Sequence, residues 1–499
     1  MNFCICIISK IRIFASILRR AQREGQLSIE LLLFSGMSLI LITGFVLWTQ
    51  SVLNISLRDV NKADAFSIAE AGIEYYRWHL AHAASDYWDG HGATSTGPYV
   101  HNYYSKNGVL AGTFALDITP PPVGSTVITV KSTGATIADA SVHKVIEAQL
   151  AIPSIAIYAL LSNDNLSFGT STEMYGQVLA NGGIHFDGLA HNIVMSAQAS
   201  YQDPDHGGGP EFGVHTHVLP VDPYPPAAVP SRPDIFAAGR EFPLPSFDFP
   251  GLTATLAGLK TLAQSGGVYL ANSGKLGYHL VLKTNNTFDA YRVDKLMSKP
   301  SGCAKVKGKQ KNWELWTIKT ETFLQSYQIP ANGVVFAEDD VWVDGQINGS
   351  RLTIAAGQFP EQSNTTRSII VNHNLTYTNY DGKDVLGLFA QEDVGIGFQS
   401  DDVLRIDAAV IAKNSEFGRF YYVPPDHTGK GCNPYQTRSS LTTYGMIASY
   451  YQPVFSYPDD GTGYQSVQNT YDVHLLYNPP PSFPFATSQY SQISWDEIK

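Results

Sequence analysis

Gly25-Gln26-Leu27-Ser28-Ile29-Glu30, followed at 31–48 by LLLFSGMSLILITGFVLW, is the stretch on which the architecture of the chain turns. After Glu30 no charge appears until Arg58, so this segment is long enough, as a helix, to cross about 30 Å of hydrocarbon. Before it stand Lys10, Arg12, Arg19, Arg20 and Arg23 against the single acid Glu24. That bias predicts a cytoplasmic N-terminus and export of everything after Trp48. Glu30 sits at the edge of the apolar run, where a carboxylate is expensive unless it has a partner. A cleaved secretory signal would carry a small-residue site after the run, and none follows. A plain signal anchor, with Glu30 snorkelling to the interface, is the competing reading.

Beyond the apolar run, residues 58–84 contain no proline and place Ala65, Ala69, Gly72, Tyr76 and Leu80 at three- or four-residue spacing. The stripe is small and smooth, suited to close packing against another helix or against the body. One helix from Ser28 to about Ala84 would be roughly 85 Å long at about 1.5 Å per residue.

The segment Gly25 to Glu30 resembles the cleavage site of type IV prepilins, and Ala65-Phe-Ser-Ile-Ala69-Glu70-Ala71-Gly72-Ile73-Glu74 resembles the N-terminal region of PilX-type minor pilins. Site, apolar anchor and Ala-Glu-Ala-Gly helix occur in the family's order. The resemblance implies that a prepilin peptidase cuts after Gly25 and methylates the new N-terminus at Gln26, where the family usually has Phe. Glu30 then becomes the fifth mature residue. Its carboxylate would pair with the N-terminal ammonium of a neighbouring subunit and set the filament register, because an unpaired buried charge costs several kcal/mol.

The rest of the chain has a different texture. Charged residues are only 15% of 499, against about 25% in ordinary soluble domains, while 43 Gly, 27 Tyr and 24 Phe are present. Alternating runs at 112–118, 127–130 and 142–152, separated by proline and glycine turns, predict a small antiparallel sheet laid on the helix within 86–154. From 155 to 219 and again from 331 to 499, apolar triplets recur at short intervals between Gly, Asn and Asp. They fit the stacked rungs of a parallel β-helix, with a β-sandwich as the alternative. Residues 220–250 are dense in proline and read as an extended connection; 251–330 reads as an inserted α+β segment. The expected fold is therefore α+β, mainly β. A leader (1–25) precedes the pilin helix (26–85, membrane part about 31–48), the small sheet, and a β-helix in two parts, the second including a C-terminal closing segment.

Chemistry is sparse. Cys303 and Cys432 either form a disulfide, closing a long loop, or are two separate buried thiols. Asp203-Pro-Asp205-His206 with His215-Thr-His217 is the strongest metal candidate, but its Gly207-Gly-Gly209 flank reads as a mobile loop with exposed histidines. Glu338-Asp339-Asp340 with Asp344 lacks a calcium-loop pattern and reads as a solvated turn. Asp401, Asp402, Arg405 and Asp407 form the tightest carboxylate group, better explained as a turn and strand start than as a glycan-cleaving pair. Phosphate loops, nucleophile elbows and metalloprotease helices are missing from the sequence. With a net charge of −11 and basic clustering beyond residue 25 only at 305–311, nucleic-acid binding is not expected.

The expectation is a non-enzymatic minor pilin or pilin-like structural subunit, without catalytic residues, cofactor or metal. Its partners would be prepilin peptidase, other pilin subunits, the membrane through one helix, and a surface ligand that the sequence does not identify. It would be a single-pass membrane protein before assembly and lie at the cell surface or in a pilus afterwards. The alternatives are an anchored β-helix surface protein that never polymerises and an anchored glycan-active enzyme.

Overall fold

In a computed structural model the chain is described at residues 4–92, 94–121, 126–298, 300, 303, 316–424, 431–487 and 489–498, with side chains from Ser28 onward. The basic group at 305–311 lies outside the described residues. One helix, Cys4–His82, runs through the N-terminal region without a break. It begins well before Ser28, because no proline interrupts the N-terminal segment; the first proline of the chain is Pro98. It ends where Asp86 accepts hydrogen bonds from the N–H groups of Trp88 and Gly90 and approaches His79 Nε2 at 3.0 Å.

The last third of this helix is clamped. Ala65, Ile68, Ala69, Ile73, Tyr76 and Leu80 are each at most 2% exposed and form one stripe at helical spacing. They pack on an antiparallel sheet of Tyr99–Tyr104, Leu110–Thr119, Ile128–Thr136 and His143–Ala151. The approach is close enough that Gly134 has no room for a side chain: a Cβ there would overlap the Ala65 carbonyl oxygen and the backbone of Ala69. Small residues on both sides thus let the helix lie on the strands, and Ile73, Tyr76 and Leu80 supply the apolar area.

A fifth strand, Ser491–Ile498, pairs antiparallel with His143–Ala151 and completes this sheet. The proline-pinned stretch expected to close the β-stack does pack on it, Pro479 and Pro481 accepting from Arg351 and Thr353 and Phe483 joining its core, and only beyond it does the chain return to the small sheet. Its register sets Trp495 beside Ala148 and against Phe66 of the helix, and Glu497 pairs with Lys144. The large body is therefore inserted between the fourth and fifth strands of the small sheet. Its two ends run side by side: Ser154 Oγ donates to Pro484 O at 2.9 Å, and Ala486 N–H donates to Pro153 O at 2.7 Å.

The body is built on parallel sheets. Ten strands lie in the order Arg240–Glu241, Val194–Ser196, Gln177–Ala180, Tyr158–Ser162, Ile447–Ser449, Ala409–Ala412, Val385–Ala390, Arg351–Ala356, Val334–Ala337 and Val268–Leu270. Every neighbouring pair is parallel, which separates this body from an antiparallel sandwich. In-register pairing stacks Val335, Ile354, Leu388, Val410, Ile447, Leu160, Val178 and Val194 in one aliphatic column. A second sheet, parallel from Gly277–Lys283 through Thr462–Tyr471, and a short third strip of Ile369–Ile370, Val394–Ile396 and Phe417–Arg419 take up the chain between successive strands of the first.

The path through the ten-stranded sheet is not sequential. The chain begins at Tyr158–Ser162, runs out to Arg240–Glu241, then crosses to the far end and coils back until Ile447–Ser449 pairs with Tyr158–Ser162. The crossing is the proline-dense connection together with the helix Leu252–Gly266. Asn181 holds Phe247, Phe249 packs on Tyr450, Thr253 donates to Glu361, and Leu262 O accepts from Asn332. These contacts step along the sheet and cover its face. The segment 251–330 is therefore not a separate insertion. Val268–Leu270 and Gly277–Lys283 are strands of the two large sheets, and among the described residues of the segment only the hairpin partners Thr287–Leu296 and Ile318–Gln328 depart from parallel pairing.

Cys303 and Cys432 are joined in a disulfide, both fully buried beside Phe398, Phe420 and Tyr422. Next to it Arg419, also fully buried, donates to the carbonyls of Gly397, Phe398 and Tyr435 and to Ser400 Oγ, and lies over the rings of Tyr422 and Tyr464. Replacing both cysteines by serine is expected to lower unfolding stability by several kcal/mol, on the order of 4 for so long a loop, read by chemical denaturation. Gly134→Val is expected to push the helix off the small sheet and cost about 1–3 kcal/mol by overpacking, seen as a lower denaturation midpoint for the small domain.

Candidate functional site

Two places in the molecule carry features that its folding does not use up. The first is the helix segment ahead of the clamped stripe. From Ile29 to Leu57 its large apolar side chains stand open, Leu31 74% and Trp48 64% exposed among them. The described part of the helix, Ser28–His82, is long and apolar enough to cross a membrane. Exposed apolar surface on this scale demands a lipid or protein cover. Glu30 is exposed at the start of the segment and has no hydrogen-bond or ion-pair partner among the described residues. Gly25 and Gln26 are helical in backbone, and the side chain of Gln26 lies outside what is described.

The second place is a knot of histidines and carboxylates on the first coils of the body. Parallel pairing of Ile184–Phe186 with Val214–His215 sets His215 directly beside His185. Antiparallel pairing of Ser200–Tyr201 with Glu211–Phe212 folds the loop that follows Tyr201 back over them, bringing in Asp203 and Glu211. His185, Asp203, His215 and His217 each present a ligand-type atom within 4.8 Å of the others, and His206, Glu211 and His217 form an overlapping trio. The rings of His185 and His217 are 4.2 Å apart by centroid, and those of His185 and His215 are 5.0 Å apart and stacked.

Burial makes the cluster unusual. The side chains of His215 and Asp203 are 1% and 3% exposed. Residues 207–210 stand exposed as expected and the His206 side chain is 42% open, but His215 and Asp203 are buried where exposed loop residues were expected. Both ring nitrogens of His185 and of His215, and Asp203 Oδ2, are buried without a hydrogen bond. Carboxylate oxygens come near, at 3.3 Å for His185 Nδ1 and His215 Nε2 to Asp203 Oδ2, but off the direction a ring N–H would need. Glu211 Oε2 also closes on His215 Nε2, likewise without hydrogen-bond geometry. Burial pulls the His215 pKa below the ordinary imidazole value, against the opposing pull of Glu211, and so favours the neutral ring. Around this centre Asp187 accepts hydrogen bonds from Thr216 Oγ1 and His217 N–H and lies 3.1 Å from His185 Nε2. Glu211 accepts from His206 and His217.

Of the residues singled out in the sequence, Asp203, His206, His215 and His217 come together; Asp205 stays outside, exposed. His185, Asp187 and Glu211 were missed. The signal was a shared apolar–His dipeptide, Ile184-His185 and Val214-His215, at positions that parallel rungs bring into register.

The other acidic groups are spent on structure. Glu338 holds Lys260 and Tyr269, Asp339 accepts from Ser273, and Asp340 accepts the Ser368 N–H at 2.8 Å, so the expected solvated turn is a hydrogen-bonded one. Asp401 is bound to His373 and Asn374, Asp402 to Ser439, and Asp407 to Tyr377, Tyr380 and Arg405. These carboxylates link one rung to the next.

Protein-family models and curated proteins give no match to the sequence. Among solved structures, the crystal structure of the competence-associated pilin ComZ from Thermus thermophilus aligns over 88% of this chain and 97% of its own length, at 13% identity and a TM-score of 0.30.

Burial raises the Asp340 pKa from 3.8 to about 7, helped by Asp339 and Asp393 and opposed by Ser368 N–H and Arg367. The folded state then holds a proton that the unfolded chain releases, so this group's stabilisation is complete below 3.8 and is lost as pH rises to about 7. Asp340→Asn is expected to gain stability relative to the parent chain across that window and to keep a constant advantage above it, measured as melting temperature against pH.

Proposed function

We propose that this chain is a pilin-like structural subunit of a type IV pilus or related filament, used at low copy number to present its large β-body outside the cell. The carrying observation is the division of one unbroken helix into an exposed apolar half with a lone carboxylate at its edge and a half clamped under a five-stranded sheet. Cleavage by prepilin peptidase after Gly25 frees an ammonium at Gln26, which is then methylated. In the membrane the apolar half is covered by lipid; in a filament the same surface is covered by neighbouring helices. Glu30 of one subunit meets the N-terminal ammonium of the next, and this charge pair selects one axial register because either charge alone would be buried at a cost of several kcal/mol.

The proposed body is a parallel β-helix held at both ends by the small sheet, and its role is assembly or adhesion rather than catalysis. A body of this size crowds a helical filament lattice, which favours a minor or tip position over a repeated major subunit.

The decisive test is the N-terminal peptide mass of the protein from sheared surface filaments and from membranes, for the parent chain and for Glu30→Gln. A methylated peptide beginning at Gln26 in the sheared fraction, with Glu30→Gln cleaved but largely retained in membranes, is the expected result. An intact N-terminus confined to membranes would leave an anchored surface protein that does not polymerise.

A further inference from the structure

We propose that His185, Asp203, His215 and His217 bind one first-row transition-metal dication of the zinc class, with Asp187 and Glu211 as the supporting carboxylates. The donors are three imidazoles and a carboxylate, a set that suits zinc and its borderline neighbours and not calcium or magnesium, which take oxygen ligands. Their ligand atoms lie within 4.8 Å of one another, and tetrahedral zinc with bonds of about 2.1 Å draws such atoms to about 3.4 Å, a change within reach of side-chain rotation.

The second observation is the set of buried nitrogens that hydrogen bonding leaves unused. Leaving a buried polar atom without a hydrogen bond is costly, and here four ring nitrogens and one carboxylate oxygen, on three side chains, gather at one spot in that state. Protein hydrogen bonds are not what holds the His185 and His215 rings where they are; metal ligation would use a ring-nitrogen lone pair of each. The charge also fits. Asp203 and Glu211 are both deeply buried, and the guanidinium groups of Arg232 and Arg240, which donate to Val218 O and Val214 O, are engaged with Asp222 and Asp234. A dication would balance the two carboxylates at the centre.

The surroundings have the character of an outer shell. Asp187 accepts the His217 N–H and lies 3.1 Å from His185 Nε2, placed to accept from that ring once it turns onto a metal, as outer carboxylates do for ligating histidines. The site ties the loop carrying Asp203 to Ile184–Phe186 and to Val214–His215, the edge strand of its three-stranded sheet. Its role would be to cap that end of the parallel stack.

The experiment uses the full-length chain, without a histidine tag, in detergent micelles. After dialysis against a weak chelator and loading with zinc chloride, one zinc per chain is expected by elemental mass spectrometry. The melting temperature should rise with zinc and not with calcium or magnesium, and cobalt(II) loading should give visible d–d absorption. His215→Ala and Asp203→Ala should lose both the metal and the zinc-dependent rise. Since these buried variants can misfold, His217→Ala, at a part-exposed position, is the control, with its circular dichroism matched to the parent. Asp187→Asn should weaken zinc binding by about 10–100-fold. Failure of the parent chain to retain zinc, or a zinc-dependent rise that survives in folded His217→Ala, overturns the proposal. Binding is read on the isolated chain, so the outcome is independent of whether the protein enters a filament.

Discussion

The antiparallel pairing of Ser491–Ile498 with His143–Ala151 is the constraint on which the rest of the molecule hangs. It obliges the whole body to begin and end at one place, and the body's own topology obeys. Pro153 and Ala486 are hydrogen-bonded neighbours, and the first and last strands that the body gives to the ten-stranded sheet, Tyr158–Ser162 and Ile447–Ser449, lie side by side with Leu160 opposite Ile447. The stack therefore grows away from its attachment in both directions, and the long crossing between 242 and 266 is what such a layout requires. Both linkers to the small sheet are short, so movement of the body is passed to the clamped end of the helix through paired chain rather than through a single tether.

The scarcity of charge in the sequence acquires a reason in the body. In a parallel stack both faces of a sheet are covered, so strands such as Val385–Ala390 and Ala409–Ala412 are buried throughout and tolerate only apolar or small residues. Carboxylates survive at the corners, where each accepts backbone N–H groups that a turn leaves unpaired. Asp384 takes those of Gly349, Ser350, Thr378 and Asn379, and Asp407 takes that of Tyr377. Arg419 does the converse, offering its guanidinium to three carbonyls that no strand partner reaches. The acidic groups at 338–340 and 401–407 are engaged in hydrogen bonds that join neighbouring segments of the body.

The parts of the fold legible in the sequence were those with short-range periodicity. The helical stripe through Ala65, Ala69, Tyr76 and Leu80, the hairpin strands of the small sheet and the apolar triplets of the stack all follow local rules. What escaped depends on pairing across long separations. Ser491–Ile498 is polar and half-exposed, so nothing in its own pattern marks it as the closing strand of a sheet whose other members precede the body. The histidine cluster failed for the same reason: His185 and His215 are remote along the chain, and only parallel register makes them neighbours. Glycines 207 to 209 suggested a mobile loop because flexibility is a property of composition, whereas burial of Asp203 and His215 comes from tertiary packing. Cys303 and Cys432 were legible as residues but not as a pair, since sequence does not show which surfaces meet.

The meeting of Tyr158–Ser162 with Ile447–Ser449 also fixes the order in which the molecule becomes whole. In a chain made from its N-terminus the first strands of the body appear early, yet one edge of their sheet stays unpaired until Ile447–Ser449 has been made. Loop-closure entropy must be met before that contact forms, which makes its completion slow, and an unpaired parallel edge is a template for the wrong partner. The folding of this protein is thus timed by its closing coils, and a nascent chain halted before Ile447 would present an open edge to whatever shares its compartment.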